Sequence, residues 1–121
     1  MNKALGASGE SLAANYLKKK AGLKIIERNW RCPIGEIDLV AQGPQGELVI
    51  VEVKTRSKIG DSVWESIGFE KQVKLARLAR WYLKAKDLSL DTPVQFDAVV
   101  VLTPNDEVHH LPNAFWAEKE I

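Results

Sequence analysis

The sequence predicts an α/β fold: a central mixed sheet flanked by helices. Three observations carry that expectation. Two separated stretches repeat apolar residues at the helical period, three extended runs lie between them, and a strand-like run, apolar at nearly every position, follows the second helical stretch.

From about Ala7 to Lys20, Leu12, Ala13, Tyr16 and Leu17 fall on one helical stripe, and Gly22 suits the C-terminal cap. Lys24 to Arg31, Gly35 to Gln42 and Glu47 to Thr55 are extended, and the turn Gly43 to Gly46 joins the second to the third, which predicts an antiparallel meander. Helical spacing returns from roughly Phe69 to Lys86, with Leu75, Leu78, Tyr82 and Ala85 on one side. Lys74, Arg77, Arg80 and Lys84 lie on an adjoining flank. Pro93 precedes Val94 to Leu102, a run apolar enough for a strand buried on both faces, and Glu107 to Leu111 reads as a short edge strand.

With 121 residues the chain fits a single domain spanning 1–121, large enough for a core without disulfides or a structural metal. Hydrophobic residues at 45% and charged residues at 27% point away from the disordered and membrane classes, and no run approaches the length of a membrane-spanning helix. The N-terminus reads as free of an export signal. Cys32 is the single cysteine, so no internal disulfide forms, a reducing cytoplasm is the expected home, and a buried thiol is its plain role. The net charge of +1 decides nothing about a polyanionic partner, but the charge is segregated. Lys18, Lys19, Lys20, Lys24, Arg28 and Arg31 cluster early, and Lys71, Lys74, Arg77, Arg80, Lys84 and Lys86 cluster late.

The strand Glu47 to Lys54 (ELVIVEVK) raises a question, because a core-forming run ends in a carboxylate and an ammonium. Alternation puts Leu48, Ile50, Glu52 and Lys54 on one face, and on the preceding strand it puts Glu36 and Asp38 on a face opposite Ile37 and Leu39. A short hairpin would bring the charged ends together, where carboxylates from adjacent strands repel unless a positive charge sits between them. Two readings stand. Asp38 and Glu52 can offer hard oxygen ligands to Mg²⁺ or Mn²⁺ with Lys54 orienting an attacking water, or Glu52 and Lys54 simply pair at the surface where the strand leaves the core. Glu10, at the border of the first helix's apolar stripe, can reach over the sheet to join them; an acid near the first turn of a helix also has a purely local role.

Other motifs carry less. His109 and His110 are neighbours in a strand and point to opposite faces, which argues against a shared zinc ion. Neither Cys32 nor any serine has a recognisable histidine and acid beside it in sequence. Trp30, Trp64, Trp81 and Trp116 read as core or rim packing rather than base-stacking platforms, and Gly60 to Gly68 as a loop shaping substrate access.

Taken together, Gly9-Glu10, Gly35 to Val40 (GEIDLV) and Val51 to Arg56 (VEVKTR) resemble the YraN family of small bacterial proteins, also called uncharacterised protein family 0102. The likeness continues through Asn29 to Arg31, Lys71, Ala79 to Leu83 and Phe96 to Val99. That family is similar in turn to the PD-(D/E)XK nucleases of the Holliday junction resolvase type. The resemblance implies a restriction-endonuclease-like fold and a single nuclease-like domain. It also implies a Mg²⁺- or Mn²⁺-dependent endodeoxyribonuclease that cleaves phosphodiester bonds in structured or branched DNA. By motif, Asp38 corresponds to the metal-binding acid, Glu52 and Lys54 to the (D/E)XK pair and Glu10 to the helical glutamate, while Glu36 has no assigned role. Gln95 departs from the arginine usual before the Phe-Asp pair, so a cationic contact is missing there. Lys71, Lys74, Arg77, Arg80 and Lys84 are the expected nucleic-acid-binding residues; DNA is the expected partner, a homodimer is allowed, and membrane association is not expected. The alternatives are a non-catalytic nucleic-acid-binding adaptor on the same fold and a protein-interaction module with a basic flank.

Overall fold

The structure, a computed structural model, describes residues 3–57 and 67–115, with side chains from residue 9. Helix α1 (Lys3–Lys20) leads into a meander of β1 (Lys24–Cys32), β2 (Gly35–Gln42) and β3 (Leu48–Arg56). Helix α2 (Phe69–Ala85), β4 (Val94–Leu102) and β5 (Glu107–Phe115) follow. The five strands form one sheet in the order β1-β2-β3-β4-β5. Neighbours are antiparallel except β3 and β4, which run parallel in unbroken register from Leu48 opposite Val94 to Arg56 opposite Leu102. The mixed sheet follows from that one parallel pair, because a strand returning through a helix re-enters with the same direction.

Among the described residues, one helix packs on each face of the sheet. Ala13, Ala14 and Leu17 of α1 pack on Leu39, Ala41, Val49, Val51, Val99 and Val101. On the other face Leu75, Leu78, Ala79, Tyr82 and Leu83 of α2 meet Ile37, Val40, Leu48, Ile50, Phe96 and Ala98. The central strands β3 and β4 are apolar on both faces because each face meets a helix. Helix α1 closes at Gly22, whose φ of 68° lies in the left-handed region, while Leu23 N–H donates to Leu17 O at 3.0 Å.

Three sequence expectations are corrected by packing. Ala85 is exposed, because the buried stripe of α2 ends at Leu83. Strand β5 runs on to Phe115 rather than stopping at Leu111. The Asn113 N–H donates to Asp97 Oδ1 at 3.1 Å and Phe115 stacks on Phe96 at 4.6 Å, so the strand resumes pairing beyond Pro112, which an edge strand tolerates. Cys32 is half-buried rather than enclosed.

Candidate active site

The site begins where the β2–β3 ladder ends. Pairing runs from Gln42 opposite Leu48 to Leu39 opposite Val51 and goes no further. Beyond it the Asp38 side chain takes over the acceptor role, its Oδ2 receiving the Val53 N–H at 2.8 Å. The expected alternation breaks at this step. Ile37 packs with α2 while Leu39 packs with α1, so the two do not share a face as predicted. Asn29, between the residues of β1 that pair with Leu39 and Ile37, has φ 52° and turns the neighbouring strand at the same level.

Four acids lie in one another's field at this frayed end. Burial, the largest cause, pushes the Asp38 carboxyl up to about 6; the Val53 amide pulls it down, and Glu52, Glu10 and Glu36 raise it further. Glu10 is also raised, first by burial and then by Glu36 and Glu52, against the pull of Asn29 and Arg28. Glycine at position 9 permits this approach of α1, because a Cβ there would stand 2.7 Å from Thr55 Oγ1 on β3. Glu36 itself leans toward solvent and pairs with Arg31 at 3.7 Å.

Glu52 is nearly enclosed, with 11% of its side chain exposed, and two ammonium groups face its Oε2: Lys71 at 3.1 Å and Lys54 at 3.6 Å. Glu10, Asp38 and Glu52 thus act on one another electrostatically, and Lys54 contacts Glu52. Lys71 parts from the cationic flank and belongs beside Glu52, a place no local spacing announces. Its former companions Lys74, Arg77, Arg80 and Lys84 line a separate open groove of about 610 Å³ on the outer side of α2. Among the described residues, no three His, Cys, Asp or Glu side chains stand close enough to enclose a metal ion.

Sequence reasoning also missed Asp97 as a hub. Only 3% exposed, it accepts from His110 Nε2 at 2.7 Å, Gln95 Nε2 at 2.9 Å and the Asn113 amide. Gln95 therefore serves this buried carboxylate. His109 turns instead toward Glu107 at 3.4 Å, so the two histidines do not converge. Trp30 packs edge-on against Tyr82 at 5.1 Å, consistent with a packing role, whereas Trp81 is 42% exposed. Trp64, Trp116 and the Gly60–Ser66 part of the predicted access loop lie outside the described residues.

These observations define an α/β protein whose mixed sheet gathers a carboxylate cluster and an ammonium pair at the splayed end of two central strands. The chain belongs to the family described as Uncharacterised protein family UPF0102, whose profile matches residues 9–101. A UPF0102 protein of Clostridioides difficile is 41% identical over 115 residues, covering 94% of this chain and 98% of its own. One of Syntrophotalea carbinolica is 43% identical over 114 residues, covering 92% and 90%. Among solved structures, a repair endonuclease from Pyrococcus abyssi is similar over 80% of this chain and 39% of its own length, at 14% identity and a TM-score of 0.41. Among the described residues no helix is long and apolar enough to cross a membrane.

Proposed function

We propose that the chain is a metal-dependent endonuclease of the PD-(D/E)XK type, on a restriction-endonuclease-like fold, hydrolysing phosphodiester bonds in structured or branched DNA. One observation carries this reading: Asp38 and Glu52 lie just beyond the last pair of the β2–β3 ladder and within one another's field, with Lys54 on the same strand 3.6 Å from Glu52.

The donor set fits Mg²⁺ or Mn²⁺. It is all carboxylate oxygen, and among the described residues no hydrogen bond engages Asp38 Oδ1. Asp38 and Glu52 would hold the ion, with Glu10 reaching in from α1. When bound, such an ion supplies a water of lowered pKa and offsets charge on the phosphoryl oxygens.

The remaining work falls to the chain's own groups. Lys54 would orient the attacking water or meet the charge that develops on phosphorus-bound oxygen. Lys71 pairs with Glu52 at 3.1 Å from the helix side. Lys74, Arg77, Arg80 and Lys84 neutralise backbone phosphates. The lone cysteine suits work in the cytoplasm.

The adaptor reading has one observation in its favour, since two ammonium groups already neutralise Glu52. Purified protein incubated with labelled linear, flapped and four-way-junction DNA, with and without Mg²⁺ or Mn²⁺, separates the two. Metal-dependent cleavage of a branched substrate is expected; binding of every substrate with cleavage of none supports the adaptor.

A further inference from the structure

The outer face of α2 combines features that a merely solvated helix lacks. Its groove has an apolar floor of Ile34, Val73, Trp81 and Leu90, and both Trp81 and Leu90 are exposed, at 42% and 47%. Its cations are Lys74, Arg77, Arg80 and Lys84, with Glu70 the one acid among its described lining residues. At a rise of about 1.5 Å per residue, Lys74 to Lys84 spans roughly 15 Å, the length of a few nucleotides. The groove and the carboxylate site share helix α2, since Glu70 and Val73 line the groove while Lys71 contacts Glu52.

We infer that this groove binds single-stranded nucleic acid, with an unpaired base stacked on Trp81 and the flanking phosphates on Lys74, Arg77, Arg80 and Lys84. The inference rests on the reading of a nucleic-acid substrate and specifies it as one with an unpaired segment. A duplex presents phosphates and keeps its base faces stacked inside, so an indole set among cations gains little from it. An unpaired strand offers both the charge and the π-face. The site is sequence-tolerant, since every base has such a face.

The test is equilibrium binding of a fluorescein-labelled single-stranded oligonucleotide and a duplex of the same length, in EDTA so that cleavage plays no part. The single strand should bind more tightly. Trp81→Ala should weaken single-strand binding roughly tenfold or more, with Trp81→Phe close to wild type. Replacing Arg77, Arg80 and Lys84 by Glu should flatten the salt dependence by about 2 in slope, at about 0.7 per phosphate contact. Thermal melting of each variant establishes that it is folded; a Trp81→Ala that fails to fold leaves Trp81→Phe and Trp81→Leu, whose difference in affinity answers the same question. Equal affinity for duplex and single strand, an unchanged Kd without the aromatic ring, or equally effective displacement by polyglutamate overturns the inference. Cleavage by wild type with Trp81-independent binding would defeat this inference alone. Trp81-dependent strand binding without cleavage of any substrate would defeat the nuclease reading alone.

Discussion

The ammonium of Lys71 lies 3.1 Å from Glu52 Oε2, nearer than that of Lys54 at 3.6 Å, although Lys54 is next but one on the same strand and Lys71 comes from α2. A cation entering between Asp38 and Glu52 must therefore compete with Lys71 for that oxygen. Lys71→Ala is expected to tighten Mg²⁺ binding several-fold in a calorimetric titration. Weaker binding would mean that Lys71 organises the ligand set rather than competing with it.

Asp38 ties the site to pH. Its folded pKa, about 6, is above the ordinary value of 3.8, so the folded chain holds this proton more tightly than the unfolded chain. The stability it contributes is present below the ordinary value and lost as pH rises through about 6. Asp38→Asn should therefore be more stable than wild type at pH 7 to 8, by up to roughly 3 kcal/mol, with the gap closing near pH 4. Urea unfolding across that range measures it, and a gap independent of pH would remove Asp38 as the cause.

Holding metal and handling the reacting water are different tasks. Lys54→Ala should keep Mg²⁺ and DNA binding near wild type while cleavage falls by roughly 10² or more. Asp38→Ala should lose metal binding and cleavage together. Cleavage surviving both substitutions in matched preparations would place the chemistry elsewhere.

The approach of α1 to β3 is tested through Gly9 and Thr55. Gly9→Ala should destabilise by roughly 1–3 kcal/mol despite the better helix propensity of alanine, because the new Cβ meets Thr55 Oγ1. Adding Thr55→Ala should recover most of the loss. Simple additivity in denaturant unfolding would show that the two residues do not press on each other.

Asp97 clasps β4 to β5. Asp97→Ala strips the acceptor from His110 and from the Asn113 amide, and losing two cross-strand hydrogen bonds to a buried carboxylate should cost roughly 2–4 kcal/mol. Asp97→Asn, which keeps an acceptor, should cost less. Equal urea midpoints for the two variants would argue against the hydrogen bonds as the source.

The element order was legible because β2 and β4 carry unmistakable local patterns, and their bounds agree with the sequence reading at both ends. The acids were legible for a different reason: carboxylates at the end of apolar strands are exceptions to burial, and exceptions stand out. Lys71 was not legible in its true place. On a helical wheel it is one more cation beside Lys74, and only the crossover from β3 through α2 to β4 carries it back over Glu52.

Periodicity therefore determined the two helices, the strands, the sheet's mixed character and the identity of Glu10, Asp38, Glu52 and Lys54 as candidates, since each depends on residues a few positions apart. Tertiary structure decided the break in alternation that sends Ile37 and Leu39 to opposite cores, the length of β5, the Asp97 clasp and the exposure of Trp81. Each of these depends on which backbone amide or side chain arrives from a distant segment. Burial and hydrogen-bond partnership are properties of that arrival, not of local spacing.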